Sequence, residues 1–362
     1  DMPFYGAPAG FDTASGFSRV YASDFNSDGI TDICVLSGTT PKIYLGLGDG
    51  TFGAGLSNGA SGPNGWPFLG DFNGDGIPDI ATREISDVIA GNSPVGVLFG
   101  NGDGTFQAYR TLGALPYDTS AAVGDFDGDG KSDMVGAGSW GGLLDEPHAG
   151  IIFLWGRADG QFDATRIEGG LQSGSALLSR DLNGDSIPDL VWSLPSPGKF
   201  LVILGQGNRA FGFNNPIEHS SAGEPGIAAA ADFNRDGNLD LAVLCSQGIG
   251  VLWGNGDGTF QQVILIRAFD PGLVCRTSEL KAYDVDRDGR PDLAIGSQEG
   301  VVLMINNGDG SFRWYALTKN EVDGNPYSPL LDYAIADFNS DGRTDFVAAW
   351  SDAAGVYLGM LP

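Results

Sequence analysis

Basic residues are scarce in this sequence, which has 19 lysines and arginines against 46 aspartates and glutamates and a formal net charge of −27. A surface that binds nucleic acid needs many positive side chains to neutralise phosphates. The composition therefore excludes nucleic acid as a partner. No apolar run approaches the roughly 20 residues that span a bilayer, so we also expect no membrane insertion.

Histidine and cysteine are almost absent as well. The two histidines, His148 and His219, belong to no zinc-protease motif, and we predict no serine nucleophile elbow, which needs a strand followed by a helix. A glycosidase carboxylate pair is the one catalytic arrangement that the composition still allows, and no pair stands out. We therefore predict that the protein is not an enzyme.

Three cysteines are too few for a disulfide framework. Cys34 lies in a strand-like run and is expected to be a small buried side chain. Pairing of Cys245 with Cys275 stays open at this stage.

The sequence is rich instead in a nine-residue acidic loop that occurs seven times. Every copy has Asp at positions 1, 5 and 9 and Asp or Asn at position 3, and position 6 is Gly except in the fourth copy, which has Ser186. Carboxylate and amide oxygens are the donors that calcium prefers. The copies, called loops 1 to 7 below, are residues 24–32 (DFNSDGITD), 71–79 (DFNGDGIPD), 125–133 (DFDGDGKSD), 181–189 (DLNGDSIPD), 232–240 (DFNRDGNLD), 284–292 (DVDRDGRPD) and 337–345 (DFNSDGRTD).

We predict one structural Ca²⁺ in each loop, up to seven in all, bound by the side chains at positions 1, 3, 5 and 9 and the backbone carbonyl at position 7. An EF-hand is excluded because no loop has Glu at position 12 and the flanking segments resemble strands. The predicted ligands are, loop by loop, Asp24, Asn26, Asp28, Ile30 and Asp32; Asp71, Asn73, Asp75, Ile77 and Asp79; Asp125, Asp127, Asp129, Lys131 and Asp133; Asp181, Asn183, Asp185, Ile187 and Asp189; Asp232, Asn234, Asp236, Asn238 and Asp240; Asp284, Asp286, Asp288, Arg290 and Asp292; and Asp337, Asn339, Asp341, Arg343 and Asp345.

The spacing of the loops, 47 to 56 residues, indicates a repeat of about 50 residues. A second motif follows each of the first six loops, as in LFGNGDGTF at residues 98–106, and is typical of a strand, a tight turn and a new strand. The third repeat predicts four strands, at residues 120–124, 134–138, 151–155 and 162–167. The sequence thus predicts an all-β chain and one domain, residues 1–362, folded as a seven-bladed β-propeller of four-stranded antiparallel blades.

The last repeat lacks a fourth strand after residues 356–361. Residues 2–8 (MPFYGAP) resemble the segment that follows the second motif elsewhere. We expect this N-terminal strand to complete the last blade and close the ring, which would remove an exposed sheet edge. Deletion of residues 1–10 should then lower the melting temperature.

The two motifs together, DxNxDGxxD and LGxGDGTF, resemble the FG-GAP/VCBS repeats of integrin alpha-subunit propellers and their bacterial integrin-like relatives. The resemblance covers essentially the whole chain. It implies a seven-bladed propeller with calcium between the first and second strands of each blade. It says little about the ligand, because the same repeats occur in adhesion receptors, lectins and non-catalytic parts of enzymes.

The connections on the face opposite the acidic loops do not repeat, and variable loops on a rigid scaffold usually carry function. We expect a protein or glycan partner there and a monomer that is secreted, at the cell surface or periplasmic. The main expectation is a non-catalytic adhesion or protein-interaction module; the alternatives are a carbohydrate-binding lectin or a non-catalytic domain of a larger secreted enzyme. Candidate contact residues are Trp66, Glu84, Asp87, Trp140, Asp145, Glu146, His148, Arg276 and Tyr327.

Overall fold

The structure, a computed structural model, describes most of the chain, and every regular element in that part is a β-strand. No helix in this part is long and apolar enough to cross a membrane. The described residues are 18–37, 40–57, 59–62, 65–84, 92–116, 121–140, 148–168, 176–194, 198–221, 223–245, 248–266, 275–297, 300–318, 330–350 and 354–357.

The strands pair antiparallel into seven sheets that follow one another along the chain and are called sheets 1 to 7. Sheet 1 contains β1 (Ser18–Ser23), β2 (Asp32–Ser37) and β3 (Thr40–Tyr44), and sheet 2 contains β4 (Gly65–Gly70), β5 (Asp79–Glu84), β6 (Asn92–Leu98) and β7 (Arg110–Pro116). Sheet 3 contains β8 (Ala121–Gly124), β9 (Asp133–Trp140), β10 (His148–Gly156) and β11 (Phe162–Glu168). Sheet 4 contains β12 (Ala176–Arg180), β13 (Asp189–Leu194), β14 (Lys199–Ile203) and β17 (Ile217–Ser220), with a small hairpin of β15 (Gly205–Gly207) and β16 (Ala210–Phe211) before its last strand.

The remaining sheets repeat the pattern. Sheet 5 contains β18 (Pro225–Ala231), β19 (Asp240–Cys245), β20 (Gly248–Leu252) and β21 (Ile264–Ile266). Sheet 6 contains β22 (Cys275–Tyr283), β23 (Asp292–Ser297), β24 (Gly300–Asn306) and β25 (Phe312–Thr318), and sheet 7 contains β26 (Leu330–Ala336), β27 (Asp345–Trp350) and β28 (Ala354–Tyr357). The prediction of an all-β propeller of small antiparallel sheets is confirmed.

The prediction of seven complete blades was wrong for the described residues. Sheets 2 to 6 have four strands, and in sheet 1 the backbones of Leu56 and Ile43 form an antiparallel bridge that gives it a short fourth segment. Sheet 7 has three strands, so six blades are complete. The segment predicted to complete sheet 7, residues 2–8, lies outside the described residues.

The first and last sheets are in contact, which closes the ring. The backbone N–H of Val20 in β1 donates to Asp332 Oδ2 of β26 at 2.9 Å. Arg19 lies 3.8 Å from the same carboxylate, and both side chains are buried. A buried charge is stable only when it is paired and hydrogen-bonded, so this contact fixes the position of sheet 7 against sheet 1.

Pairs of aromatic rings join neighbouring sheets. The residue at loop position 2 is buried in every repeat, and in five of them it is a phenylalanine in edge-to-face contact with the phenylalanine of the second motif of the next sheet. Phe338 of loop 7 makes this contact with Phe52 of sheet 1, with ring centroids 5.8 Å apart. The recurring Phe in GDGTF is thus an inter-sheet contact, and each such pair adds about 0.5–1.5 kcal/mol beyond the area it buries.

Other packing expectations are met where the structure describes them. Cys34 is fully buried and is a free thiol, and Trp155 is fully buried inside sheet 3. Cys245 is buried and its Sγ donates to the Gly248 carbonyl at 3.1 Å. The side chain of Cys275 lies outside the described residues, so the pairing of Cys245 with Cys275 stays open.

Candidate metal centres in the acidic loops

Each acidic loop joins the first strand of a sheet to the second, so all seven loops lie at the same end of the ring. Position 1 follows the last residue of the first strand, and position 9 is the first residue of the second strand. The nine residues are therefore a strand-to-strand turn whose ends are fixed by the sheet.

The aspartate at position 9 is the most constrained group in the loop. It is fully buried in all seven repeats. In loop 2, Oδ2 of Asp79 accepts the backbone N–H of Phe72 and Oδ1 accepts that of Gly100, both at 2.9 Å. The second of these donors belongs to the second motif, so one carboxylate connects both motifs of the repeat. The same pair of bonds is present in loops 1 to 6, and in loop 7 the bond from position 2 is present.

Sequence reasoning missed this second role of position 9. Its signal was the glycine that ends the strand before the second turn: a Cβ on Gly100 would lie 2.6 Å from the Pro78 carbonyl oxygen, and one on Gly254 would lie 2.0 Å from that of Leu239. Real Cβ atoms do not approach so closely. Glycine holds this position in five of the six repeats that have the second motif, because the strand end passes directly over the loop, and Asn306 holds it in sheet 6.

The side chains at positions 1, 3 and 5 fold inward on the loop backbone. In loop 2, Asp71 Oδ2 accepts a hydrogen bond from the backbone N–H of Gly76. Asn73 Oδ1 accepts one from the N–H of Asp75, and Asp75 Oδ1 accepts one from the N–H of Ile77. These three bonds recur in every loop. Position 7 takes part through its backbone, which fits its varied side chains. The role of its carbonyl as a ligand stays a prediction.

Two positions of each loop have positive φ angles, position 6 and also position 4. Glycine is the residue that adopts this conformation without strain, and every loop has glycine at one or both positions. Loop 4 has Ser186 at position 6 with φ of 68°, and its N–H still donates to Asp181 at 2.8 Å. The serine therefore leaves the hydrogen-bonding pattern of loop 4 intact.

The arrangement fits a hard divalent cation. In loop 3 one carboxylate oxygen from each of Asp125, Asp127 and Asp133 lies within 4.8 Å of the others, and in loop 6 the same holds for Asp284, Asp286 and Asp292. In loops 6 and 7 the buried Oδ1 of Asp284 and of Asp337 has no hydrogen-bond partner within the described structure. A buried carboxylate oxygen without a donor is costly, and a cation would satisfy it. The Asp-rich groups of loops 3 and 6 can therefore hold a metal ion.

Loops 3 and 6 differ from the other five because they have aspartate at position 3. In the asparagine loops, the amide Nδ2 donates to the carboxylate at position 5, as from Asn73 to Asp75 at 2.9 Å. Aspartate cannot donate this bond, and it adds a negative charge.

Cationic side chains lie next to both of these more acidic loops. Arg209, from the β15–β16 turn of sheet 4, places Nε 2.8 Å from Asp127 Oδ2 and lies over the Trp155 ring at 5.1 Å. Lys131 pairs with Asp129, and Arg290 pairs with Asp288. Arg209 adopts a left-handed conformation with φ of 64°, which costs a non-glycine residue about 1–3 kcal/mol. We interpret Arg209 as a counter-charge to the extra carboxylate.

Burial raises the pKa of the position 9 carboxyl groups of loops 1 to 6, although their backbone hydrogen bonds oppose the shift. The pKa is raised to about 7 for Asp79 and Asp133 and to about 6 for Asp189, Asp240 and Asp292. Protons therefore compete with cations for these loops near neutral pH.

The candidate residues of the opposite face are only partly described. Trp66 lies at the start of β4, is 36% exposed, and has the Arg19 guanidinium 5.2 Å from its ring. Glu84 accepts a weak hydrogen bond from the Tyr109 hydroxyl at 3.5 Å. The side chains of Asp87, Trp140, Asp145, Glu146, His148, Arg276 and Tyr327 lie outside the described residues, so their roles stay predictions.

Comparison with known proteins supports the sequence resemblance. A family model described as FG-GAP-like repeat matches residues 24–82, 85–136, 181–243 and 284–348, more than half of the chain. Comparison with curated proteins gives no match.

Among solved structures, the chain is similar to an Agrocybe aegerita lectin described by its specific recognition of non-reducing terminal N-acetylglucosamine, with 21% identity, a TM-score of 0.63, and coverage of 93% of this chain and 86% of the lectin. It is also similar to BBS1N in its complex with ARL6DN, with 12% identity, a TM-score of 0.56, and coverage of 99% and 98%. At such identities these similarities show the fold alone.

Proposed function

We propose, from the premise that the chain belongs to the FG-GAP-like repeat family, that it is a calcium-stabilised, non-catalytic binding module. In this proposal each of the seven loops binds one Ca²⁺ through positions 1, 3, 5 and 9, and the ring presents the opposite face to a macromolecular partner. A secreted, cell-surface or periplasmic location follows from the proposal, because calcium is plentiful there.

The observation that supports a structural role for calcium is the repetition of one hydrogen-bonding pattern, which is complete in loops 1 to 6 and is described in part in loop 7. The first strand, the second strand and the second motif meet at the position 9 carboxylate. A cation bound to that carboxylate would hold the same three segments together. Calcium would then stabilise the scaffold at seven places, and it would not act on a substrate.

The binding role is supported by the fold and by a cluster of side chains at the start of the opposite face. Arg19, Trp66 and Asp332 come from three different sheets and meet where the strands of sheets 1, 2 and 7 begin. Their packing gives a rigid base for the non-repeating connections around them. A rigid base with variable loops suits the recognition of a protein partner, as in adhesion modules.

A carbohydrate-binding function is the second candidate. The similarity in fold to the Agrocybe aegerita lectin favours it, since that lectin recognises non-reducing terminal N-acetylglucosamine. Tryptophan is the aromatic side chain with the largest apolar face for a sugar ring, and Trp66 on the opposite face is partly exposed.

Two measurements test the proposal. The first is thermal melting of the protein with 1 mM calcium and with excess EGTA: an unchanged melting temperature would refute calcium stabilisation. The second is a glycan array with the calcium-loaded protein, with a chelated sample alongside. A defined sugar class bound only with calcium would favour the lectin, and an empty array with folded protein would leave the protein-binding module as the working proposal.

A further inference from the structure

Five of the seven acidic loops have asparagine at position 3, and in loops 2 and 4 this asparagine is followed by glycine, as Asn73–Gly74 and Asn183–Gly184. An asparagine side chain can react with its own backbone when the nitrogen of the next residue attacks the side-chain carbonyl carbon, Cγ. Glycine favours this reaction, because it has no Cβ to hinder the approach. The two dipeptides are therefore candidate sites of deamidation, which converts asparagine to an acid.

The backbone nitrogen that would attack is hydrogen-bonded to a carboxylate in both loops. The Gly74 N–H donates to Asp71 Oδ1 at 2.7 Å, and the Gly184 N–H donates to Asp181 Oδ1 at 2.8 Å. The proton in each of these bonds is the one that the nitrogen must lose when it forms a new bond. The carboxylate at position 1 is thus placed to act as a general base.

The side-chain amide of the asparagine is held at both of its ends. Asn73 Oδ1 accepts the backbone N–H of Asp75 at 3.0 Å, and Asn73 Nδ2 donates to Asp75 Oδ2 at 2.9 Å. The equivalent bonds between Asn183 and Asp185 in loop 4 are both 3.0 Å long. A donor on the carbonyl oxygen stabilises the negative charge that develops there when Cγ is attacked. Each loop therefore brings a nucleophile, a base and a donor to the developing oxyanion together.

Other asparagines of the chain lack one part of this arrangement. Asn26, Asn234 and Asn339 of loops 1, 5 and 7 make the same two amide bonds. Serine or arginine follows them, and within the described residues the N–H of that next residue donates to no carboxylate. Asn101–Gly102 and Asn255–Gly256 of the second motif have the glycine, but in the part of the chain that the structure describes neither glycine N–H donates to a carboxylate. These asparagines are natural controls for loops 2 and 4.

We propose that Asn73 and Asn183 are self-deamidation sites, in which the position 1 carboxylate accepts the glycine N–H proton while the glycine nitrogen attacks the asparagine Cγ. A bond forms between that nitrogen and Cγ, and the bond between Cγ and Nδ2 breaks. The side-chain nitrogen takes up one proton and leaves as ammonia, so the cyclic imide forms without a net gain or loss of protons. Water then opens the imide at either carbonyl and gives aspartate or isoaspartate. This proposal goes beyond the proposed function, and it does not depend on bound calcium.

Loop 3 shows that the aspartate product fits the loop. Residues 125–130 read DFDGDG and residues 71–76 read DFNGDG, so deamidation of Asn73 to aspartate would give loop 2 the loop 3 sequence at these positions. Asp127 of loop 3 accepts the N–H of Asp129 at 3.2 Å, which is the bond that Asn73 makes with Asp75. The aspartate product adds a negative charge among the predicted cation ligands. The isoaspartate product adds the same charge and also lengthens the loop backbone.

The test is a time course on the folded protein in excess EGTA at neutral pH, with deamidation measured at each asparagine by peptide mass spectrometry. The variants are Asp71→Asn and Asp181→Asn, which keep a hydrogen-bond acceptor at position 1 and remove the base. Each variant contains its own matched control, because loop 4 is unaltered in the first variant and loop 2 is unaltered in the second. Melting curves show that each variant is folded. A parallel sample unfolded in urea gives the rates that the local sequence alone produces.

In the folded protein we expect Asn73 and Asn183 to deamidate at least about tenfold faster than Asn101 and Asn255. Asp71→Asn should slow the reaction at Asn73 by about tenfold or more and leave Asn183 unchanged, with the reverse in the loop 4 variant. In urea the four asparagines should react at similar rates. No reaction at Asn73 and Asn183, equal rates at Asn101 and Asn255 in the folded protein, an advantage that persists in urea, or the full rate at Asn73 in a folded Asp71→Asn protein would each overturn the proposal.

Discussion

The position 9 aspartate should stabilise the fold even without a cation, and Asp79 offers a clean test. In Asp79→Asn the amide oxygen can accept one of the two backbone N–H groups, but the amide NH₂ then faces the other. That buried donor is left unsatisfied, at a cost of about 1–3 kcal/mol. The comparison variant is Asp75→Asn at the exposed position 5. In the absence of metal this substitution should lower the free energy of unfolding by about 0.5 kcal/mol or less.

The assay is urea unfolding of both variants in excess EGTA and again in 1 mM calcium. In EGTA only Asp79→Asn should lower the unfolding midpoint clearly, because only Asp79 holds two buried backbone donors. In calcium both variants should lose stability relative to the unaltered protein, since both remove a predicted ligand. Equal midpoints for the two variants in EGTA would refute the reasoning and would make position 9 a metal ligand only.

Three further predictions follow from the loops. With 1 mM calcium and a Kd of about 0.1 mM, each occupied loop should add about 1.4 kcal/mol to the free energy of unfolding. Stepwise chelation should therefore lower the melting temperature in proportion to the calcium released, and an unchanged melting temperature would contradict this. Without metal, the free energy of unfolding should fall as pH rises from about 4 to 7, because the pKa values of the buried aspartates are raised in the folded state and their neutral forms favour folding. Melting temperatures in EGTA at pH 5 and pH 8 measure this dependence, and a higher melting temperature at pH 8 would contradict it. Arg209→Ala should tighten cation binding at loop 3 by up to about fivefold, as read by terbium luminescence sensitised through Trp155; Arg157→Ala, which removes an arginine paired with Asp159 and Asp163, is the control and should change little.

The architecture was predictable because its signals are periodic. The loop and the second motif recur in fixed order, and the third repeat shows the four strands that the sequence predicts. The number of complete blades was less predictable. A strand supplied by the other end of the chain leaves no periodic trace, so the completion of sheet 7 by residues 2–8 rests on similarity of one short segment.

The residue types that form each site were predictable from the sequence, whereas their burial and the hydrogen bonds between them were not. A spacing of carboxylates indicates a cation, but it does not show that Asp79 is fully buried while Asp75 is exposed. That difference arises from the strand end that crosses the loop. Long-range contacts such as Arg209 with Asp127 were unpredictable for the same reason, since 82 residues separate the two partners.

The loops are also linked to one another, which bears on how the ring loses stability. Ser132 of loop 3 donates its N–H to the Asp71 carbonyl of loop 2 at 2.7 Å, and its hydroxyl accepts the Asp71 N–H at 3.0 Å. Thr344 of loop 7 donates to the Asp284 carbonyl of loop 6 at 3.2 Å. Both contacts join position 8 of one loop to position 1 of the preceding loop, whose carboxylate is a predicted ligand. A cation that orders one loop therefore also orders its neighbour.

Where position 8 is proline, as at Pro78, Pro188 and Pro291, the residue has neither a backbone N–H nor a hydroxyl to donate, and this link is missing. The joints before loops 3 and 7 should consequently depend more on bound cation than the joints before the proline loops 2 and 4. Loop 6 is joined to loop 5 in another way, because Arg235 donates to the Gly289 carbonyl at 3.0 Å. Hydrogen exchange of the strands that follow each loop, measured with and without calcium, separates the two classes. Equal loss of protection after every loop would show that the cations act on each sheet alone and not on the joints between sheets.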